Sequence, residues 1–206
     1  CCLVHQHRSR DVAVKDSLYT AERRGVAGTV LVHKAAGAAA EKGLSLAEVK
    51  AVAEKAIANV RSMGFALTSC TVPAKGTPTF VLSEDEMEFG VGIHGEPGTR
   101  REETVTADEL AEKLLDCICP DLPFIAGCEA AVLVNGFGST PLQELYLLFN
   151  SAAKSLEKRG IKIAKSYVGN YMTSIDMAGA SITLMKLDEE LKELLSAPAD
   201  ACGFKC

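Results

Sequence analysis

Residues 130–134, Ala-Ala-Val-Leu-Val, form an unbroken apolar run that leads into Gly136-Phe-Gly-Ser-Thr140 and a proline at position 141. A half-exposed strand alternates apolar with polar side chains, so a continuous run is the pattern of a strand covered on both faces. The glycine-rich turn then passes the chain to a helix that Pro141 opens and that is expected to end near Gly160. A strand buried on both sides and followed directly by a helix requires layers of helix against a sheet.

The rest of the chain repeats this alternation. Residues 28–41 are alanine-rich and stop before Gly43, as a helix with a glycine C-cap does. Ser45-Leu-Ala-Glu48 is a capping box, and Leu46, Val49, Val52, Ala53, Ala56 and Val60 follow at helical spacing, which predicts a helix ending near Gly64. Residues 65–72 read as a buried strand, 73–78 as a turn and 80–82 as a further strand. Thr106-Ala-Asp-Glu109 is a second capping box opening a helix to about Cys117, with Pro120 and Pro123 closing it. Residues 161–168 and 180–186 supply two more strands, and 188–195 a closing helix. The expected fold class is α/β, with α+β possible, in a layered domain.

With 48% hydrophobic residues the chain buries a sizeable core and is not disordered. A net charge of -5 argues against a nucleic-acid binder. No apolar run approaches the ~18 residues of a membrane span, and residues 1–10 are polar, unlike a signal peptide, so the cytoplasm is the expected location. The eight cysteines form no C-x-x-C pair and are expected to be free thiols. Cys1, Cys2, His5 and His7 offer four zinc ligands in principle, but their spacing fits no common structural site.

The stretch richest in chemistry is residues 88–98, Glu-Phe-Gly-Val-Gly-Ile-His-Gly-Glu-Pro-Gly. Glu88, Phe89, Val91 and Ile93 carry a short strand, while Gly90, Gly92, Gly95 and Gly98 allow close approach of backbone or ligand. Gly-Glu-Pro-Gly then forces a turn. His94 is thereby set among small neighbours, where a neutral imidazole serves as nucleophile, base or metal ligand, or as a structural group bonded to nearby backbone. Asp85, Glu86 and Glu88 read as a solvated acidic turn rather than as metal ligands. The turn at 136–140 is open to two readings, an anion cradle at a helix N-terminus or a tight strand-to-helix connection capped by Thr140. Residues 170–176, Asn-Tyr-Met-Thr-Ser-Ile-Asp, gather many hydrogen-bonding side chains, as site walls do, although turn bonding explains the same composition.

The segment EFGVGIHGEPG, preceded by SCTVPAKGTPTFVLSEDEM, resembles the signature of the dihydroxyacetone (glycerone) kinase family, in its substrate-holding K unit. Three further blocks resemble the same family in the same order: residues 11–43 (DVAVKDSLYTAERRGVAGTVLVHKAAGAAAEKG), 133–146 (LVNGFGSTPLQELY) and 168–191 (VGNYMTSIDMAGASITLMKLDEEL). The resemblance implies a mixed sheet with helices packed against it, and a homodimer on which a separate L unit docks. It implies that residues 11–198 are the C-terminal part of a K unit, after a non-matching segment 1–10 and before a tail 199–206.

On the same ground His94 is expected to be the catalytic and substrate-binding residue, holding dihydroxyacetone as a hemiaminal for phosphorylation. A second histidine and an aspartate that serve the reacting hydroxyl in the family belong to a region not matched within this sequence, so the chain alone is expected to be an inactive component. No cofactor is expected on this chain: it lacks a G-x-x-x-x-G-K-[ST] loop, and ATP or ADP with Mg²⁺ would sit on the L unit. The alternative function is a non-catalytic K-unit paralogue that binds the ketone and acts as a regulatory protein.

Overall fold

The computed structural model of the chain describes residues 26–93 and 98–206. Its elements are α1 (Gly28–Glu41), α2 (Leu46–Ala58), β1 (Val60–Ala66), β2 (Glu86–Phe89), β3 (Arg100–Glu103), α3 (Ala107–Asp121), β4 (Glu129–Gly136), α4 (Leu142–Lys158), β5 (Lys162–Gly169), β6 (Gly179–Leu187), α5 (Glu189–Ser196), β7 (Asp200–Ala201) and β8 (Phe204–Lys205). Six strands form one sheet in the order β3-β2-β1-β6-β4-β5. Only β4 and β5 pair in parallel, and every other neighbour in that sheet is antiparallel. The α/β layered domain with a mixed sheet is therefore the observed class.

The apolar run on β4 serves two cores, as its composition requires. Ala131 and Leu133 face α1, α2 and α5, where they pack with Leu31, Ala35, Val52, Ala56, Met185 and Leu195. Ala130, Val132 and Val134 face α3 and α4, against Leu114, Ile118, Leu145, Leu156, Ile182 and Leu184. All of β4 beyond Glu129 is buried. Between β1 and β6 the register sets Ser62 opposite Thr183, and their buried hydroxyls satisfy one another at 2.7 Å.

Both capping boxes form. Ser45 N–H donates to Glu48 at 2.8 Å and Thr106 N–H to Glu109 at 3.0 Å, each carboxylate also lying on its own helix dipole. Gly43, at φ +81°, ends α1 as expected. At the other end of the molecule, buried Lys34 of α1 donates to the carbonyls of Leu194 and Ala197 that close α5.

Several boundaries differ from the sequence-based expectation. Helix α2 stops at Ala58, and Gly64 lies inside β1 instead of ending a helix. The ring of Phe137 covers Gly64: a Cβ there would sit 2.9 Å from Phe137 Cζ. No strand forms at 80–82; an isolated bridge between Thr71 and Pro78, with Thr79 N–H on Cys70 O and Phe80 N–H on Ser69 Oγ, orders that loop instead. Helix α3 runs through Pro120 to Asp121, whose carboxylate meets Arg61 Nε at 2.6 Å with both side chains largely buried. Strand β2 ends at Phe89, one residue before Gly90 turns the chain at φ +72°, so Val91 and Ile93 are buried loop residues. The highly charged β3 and the terminal hairpin β7–β8 were not expected at all. Cys1, Cys2, His5, His7 and the first part of the 11–43 block lie outside the described residues. The six described cysteines are free thiols, in keeping with the expectation.

Charged side chains tie the helices to each other and to the sheet edge. Arg159, the C-cap of α4, bonds Glu112 and Asp116 of α3, each at 2.7 Å, and Lys113 of α3 reaches Glu102 of β3. Lys113, with Arg100 beside it, holds the Glu102 carboxyl below its ordinary range, and Arg159 does the same for Glu112. A carboxyl with a depressed folded-state value stabilises the fold above its unfolded value, near 4.5, and loses that contribution as pH falls through the folded value. Replacing both by glutamine is therefore expected to lower Tm at pH 7 and to flatten its fall in acid, as read from melts at stepped pH. Gly64→Ala is expected to cost roughly 1–3 kcal/mol by overpacking against Phe137, whereas Gly37→Ala, in the exposed face of α1 with open space around it, adds about 0.5–1 kcal/mol. Urea midpoints with unchanged m-values check the pair.

Candidate functional site: a buried floor at the strand ends

In open α/β sheets the ends of strands and the loops that leave them build the ligand sites. Here the carboxyl ends of β1 and β4 open onto a cluster of Ala66, Cys70, Val91, Ile93, Phe137 and Met177, all buried, with Phe80 and Met172 packed at its margin. These side chains come from the loop after β1, the glycine-rich segment after β2, the turn after β4 and the loop before β6. Three separate sequence blocks, 69–98, 133–146 and 168–191, are thus brought together over one floor.

The turn at 136–140 is built into this floor. Phe137 N–H donates to Gly179 O at 3.1 Å and Ser139 N–H to Met177 O at 3.2 Å, so both donors are engaged internally. The Thr140 hydroxyl bridges the two sides of Gly179, accepting from its N–H at 2.8 Å and donating to its carbonyl at 2.7 Å. Pro141 stands at the N-cap of α4 with no side-chain cap. The tight-connection reading therefore holds, but Thr140 joins β4 to β6 instead of capping the helix.

Residues 170–176 form the wall above the turn, hung on Asn135. This wholly buried side chain accepts from the Tyr171 and Met172 N–H groups at 2.9 and 2.8 Å and donates to Met172 O at 2.8 Å. Ser174 N–H bonds Phe137 O at 2.7 Å, and Asp176 accepts from Thr71 N–H at 2.8 Å, which holds its carboxyl below the ordinary range. Ile175 is left in the left-handed region at φ 55°, an uncommon place for a β-branched residue, and its side chain is exposed. Gly138 makes the approach possible, since a Cβ there would lie 2.2 Å from Ile175 O.

His94, the one side chain expected to do chemistry, lies with 95–97 outside the described residues. The chain on either side of it is described: Ile93 is buried in the floor, and Gly98 N–H donates to Glu88 Oε1 at 2.6 Å. Glu88 is not part of a solvated acidic turn. It is 4% exposed, while Asp85 alone of the three acidic residues is fully exposed and Glu86 is half-buried. Asn135 and Glu88 were both missed as site-building residues from sequence. The only signal was a polar side chain directly attached to a buried run, Asn135 after Val134 and Glu88 between Met87 and Phe89. Among the described residues no group of three or more His, Cys, Asp or Glu is gathered as metal ligands would be. None of the helices there is long and apolar enough to cross a membrane.

Asn135→Ala removes the acceptor of two buried N–H groups and the donor to one carbonyl. It is expected to destabilise by roughly 2–4 kcal/mol and to speed hydrogen exchange at the Tyr171 and Met172 amides specifically. Amide exchange followed by NMR, alongside denaturant unfolding, checks both.

Comparison with known proteins gives the arrangement its kinship. The chain is 51% identical over 195 residues to the dihydroxyacetone-binding subunit DhaK of a PTS-dependent dihydroxyacetone kinase from Listeria innocua, covering 94% of this chain and 59% of the relative. It is 42% identical to the DhaK subunit of the PEP-dependent dihydroxyacetone kinase of Escherichia coli, covering 91% of this chain and 60% of that one. Among solved structures, the dihydroxyacetone kinase operon co-activator Dha-DhaQ superposes with a TM-score of 0.82 at 37% identity, over 87% of this chain and 56% of its own. The dihydroxyacetone kinase of C. freundii superposes at 0.75 with 32% identity, over 91% and 34%. The chain thus spans about six-tenths of the length of its bacterial DhaK relatives. Residues 7–203 match the Dak1 domain, and the chain belongs to the Dak1 family.

Proposed function

We propose that the chain is the substrate-binding part of a dihydroxyacetone (glycerone) kinase and that His94 is the covalent anchor for the ketone. The observation that carries this reading is the convergence of the histidine-bearing block with two other family blocks over one buried floor, in a chain half identical to a protein named as a dihydroxyacetone-binding subunit.

The chemistry follows from the imidazole. The lone pair of the ring nitrogen remote from the backbone attacks the carbonyl carbon, forming a C–N bond as the C=O π pair moves onto oxygen. That oxygen gains a proton and the other ring nitrogen gives one up, so the adduct is a neutral hemiaminal and nothing is expelled. Glycerol has no carbonyl and is excluded at this step, a discrimination that hydrogen bonds to hydroxyls alone do not give. Held in this way, the terminal hydroxyl is oriented for attack on a phosphoryl group, an effect worth up to roughly 7–11 kcal/mol in favourable systems.

Phosphoryl transfer also needs positioned positive charge around the donor. The naming of the relatives as dihydroxyacetone-binding subunits supports a separate L-type subunit that carries the nucleotide and Mg²⁺ and docks on a homodimer of this unit. A second reading, a regulatory protein that binds the ketone without phosphorylating it, is favoured by the close superposition on an operon co-activator.

The test uses the full-length protein that carries this sequence. With dihydroxyacetone labelled at its carbonyl carbon, the bound signal is expected to move from the carbonyl to the tetrahedral region of the carbon spectrum. His94→Ala should abolish that signal and weaken binding about a hundredfold or more, roughly 2.8 kcal/mol, without unfolding the protein. A bound but intact carbonyl in the wild type would refute the hemiaminal. Release of dihydroxyacetone phosphate on adding an L-type subunit with Mg²⁺, and with either ATP or a phosphoenolpyruvate-driven relay as the phosphoryl source, separates the kinase from the regulatory reading.

A further inference from the structure

Glu88 is a buried carboxylate whose place in the fold calls for a reason. Met87 and Phe89 point from β2 into the core beneath α3 and α4, so the alternation of the strand turns Glu88 to the opposite side, beside its register partner Ala66 in the apolar floor. Its side chain is 5% exposed. One oxygen accepts the Gly98 N–H at 2.6 Å; the other takes no hydrogen bond among the described residues and has the Arg101 Nε at 3.5 Å as its charge partner. Burying a carboxylate this way costs more than one hydrogen bond to a backbone amide returns, since water at an exposed turn would satisfy that amide equally well.

The surrounding geometry shows what the carboxylate does. Gly98 lies so close to β2 that a Cβ would sit 2.0 Å from Phe89 O and 2.7 Å from Glu88 Cγ. Thr99 N–H donates to Phe89 O at 2.6 Å, and Gly90 N–H to Gly64 O at 2.7 Å. The two ends of segment 90–98 are thus drawn together at a neck, where the Glu88 carboxylate holds the Gly98 N–H and the Thr99 hydroxyl donates to Phe89 O at 3.4 Å. Backbone pairing begins only beyond it, at Phe89 with Arg100.

We infer that Glu88 is a positioning residue for ketone capture: it fixes Gly98 to the base of the segment that carries His94. The inference rests on His94 being the ketone anchor. Its role is specific to the hydrogen-bond acceptor, and the charge is secondary, because a neutral amide oxygen accepts from the same N–H.

Two variants of the full-length protein test it, Glu88→Met, which matches the volume without an acceptor, and Glu88→Gln, which keeps one. Glu88→Met is expected to lose protection of the Gly98 amide from hydrogen exchange while that of Thr99 persists, and to weaken hemiaminal formation at least tenfold per folded molecule. Glu88→Gln should retain both within a few-fold. A folded methionine variant with wild-type adduct affinity, or with Gly98 protection unchanged, overturns the assignment. Should the methionine variant fail to fold, loss of the adduct in a folded glutamine variant overturns it, and retention supports it. Absence of the adduct in the wild type, with Gly98 deprotected in Glu88→Met, refutes the anchor and leaves the neck intact.

Discussion

Everything in this fold depends on β6. It runs through the middle of the sheet, paired with β1 over 179–185 on one side and with β4 over 180–187 on the other, and seven of its residues from Gly179 onward are buried. A strand in that position has no access to water, so each backbone group must find a partner in its neighbours. That demand fixes β1 and β4 in register and thereby aligns their carboxyl ends. The apolar floor exists because those two ends, and the loops leaving them, have been forced to the same level. Where glycine occurs along this seam, at Gly64 and Gly179, the Phe137 ring lies directly on backbone, which lets one aromatic side chain floor the site.

The layers and most elements were legible because local chemistry and tertiary demand agreed. Residues 130–134 could not have been a solvated strand, and Ser45 with Glu48, or Thr106 with Glu109, could hardly have been anything but helix starts. The misreadings have physical causes. Val60 continues the spacing of Ala53 and Ala56 as well as it begins a strand, and Gly64 looks like a helix stop unless one knows that Phe137 lies over it. Arg100-Arg-Glu-Glu103 has the composition of a solvated loop and is a strand only because β2 offers it an edge. Pro120 does not end α3, because in the last turn its missing N–H removes a single bond.

The site was legible in its blocks and not in its supports. Four stretches of sequence pointed to one chemistry, yet nothing in them told that Glu88 would be buried or that Asn135 would carry the wall at 170–176. A lone charge in a sequence has no sign for inside or outside; that is decided by which face of a strand it occupies and what arrives opposite. The wall also holds Ile175 at positive φ, a conformation that costs on the order of 1 kcal/mol and persists because Ser174, Asp176 and Gly138 fix the backbone on both sides of it.

The two margins of the sheet have a consequence for assembly. The outer strand at one margin, β3, consists wholly of charged residues, and its counterpart β5 carries Lys162 and Lys165 on a strand whose side chains alternate into solvent through its first half. Charged, short or lysine-bearing margins discourage a second sheet from adding on. Continuous cross-molecule sheets are thus disfavoured at both ends, which leaves helix faces and loops as the surfaces open to contact.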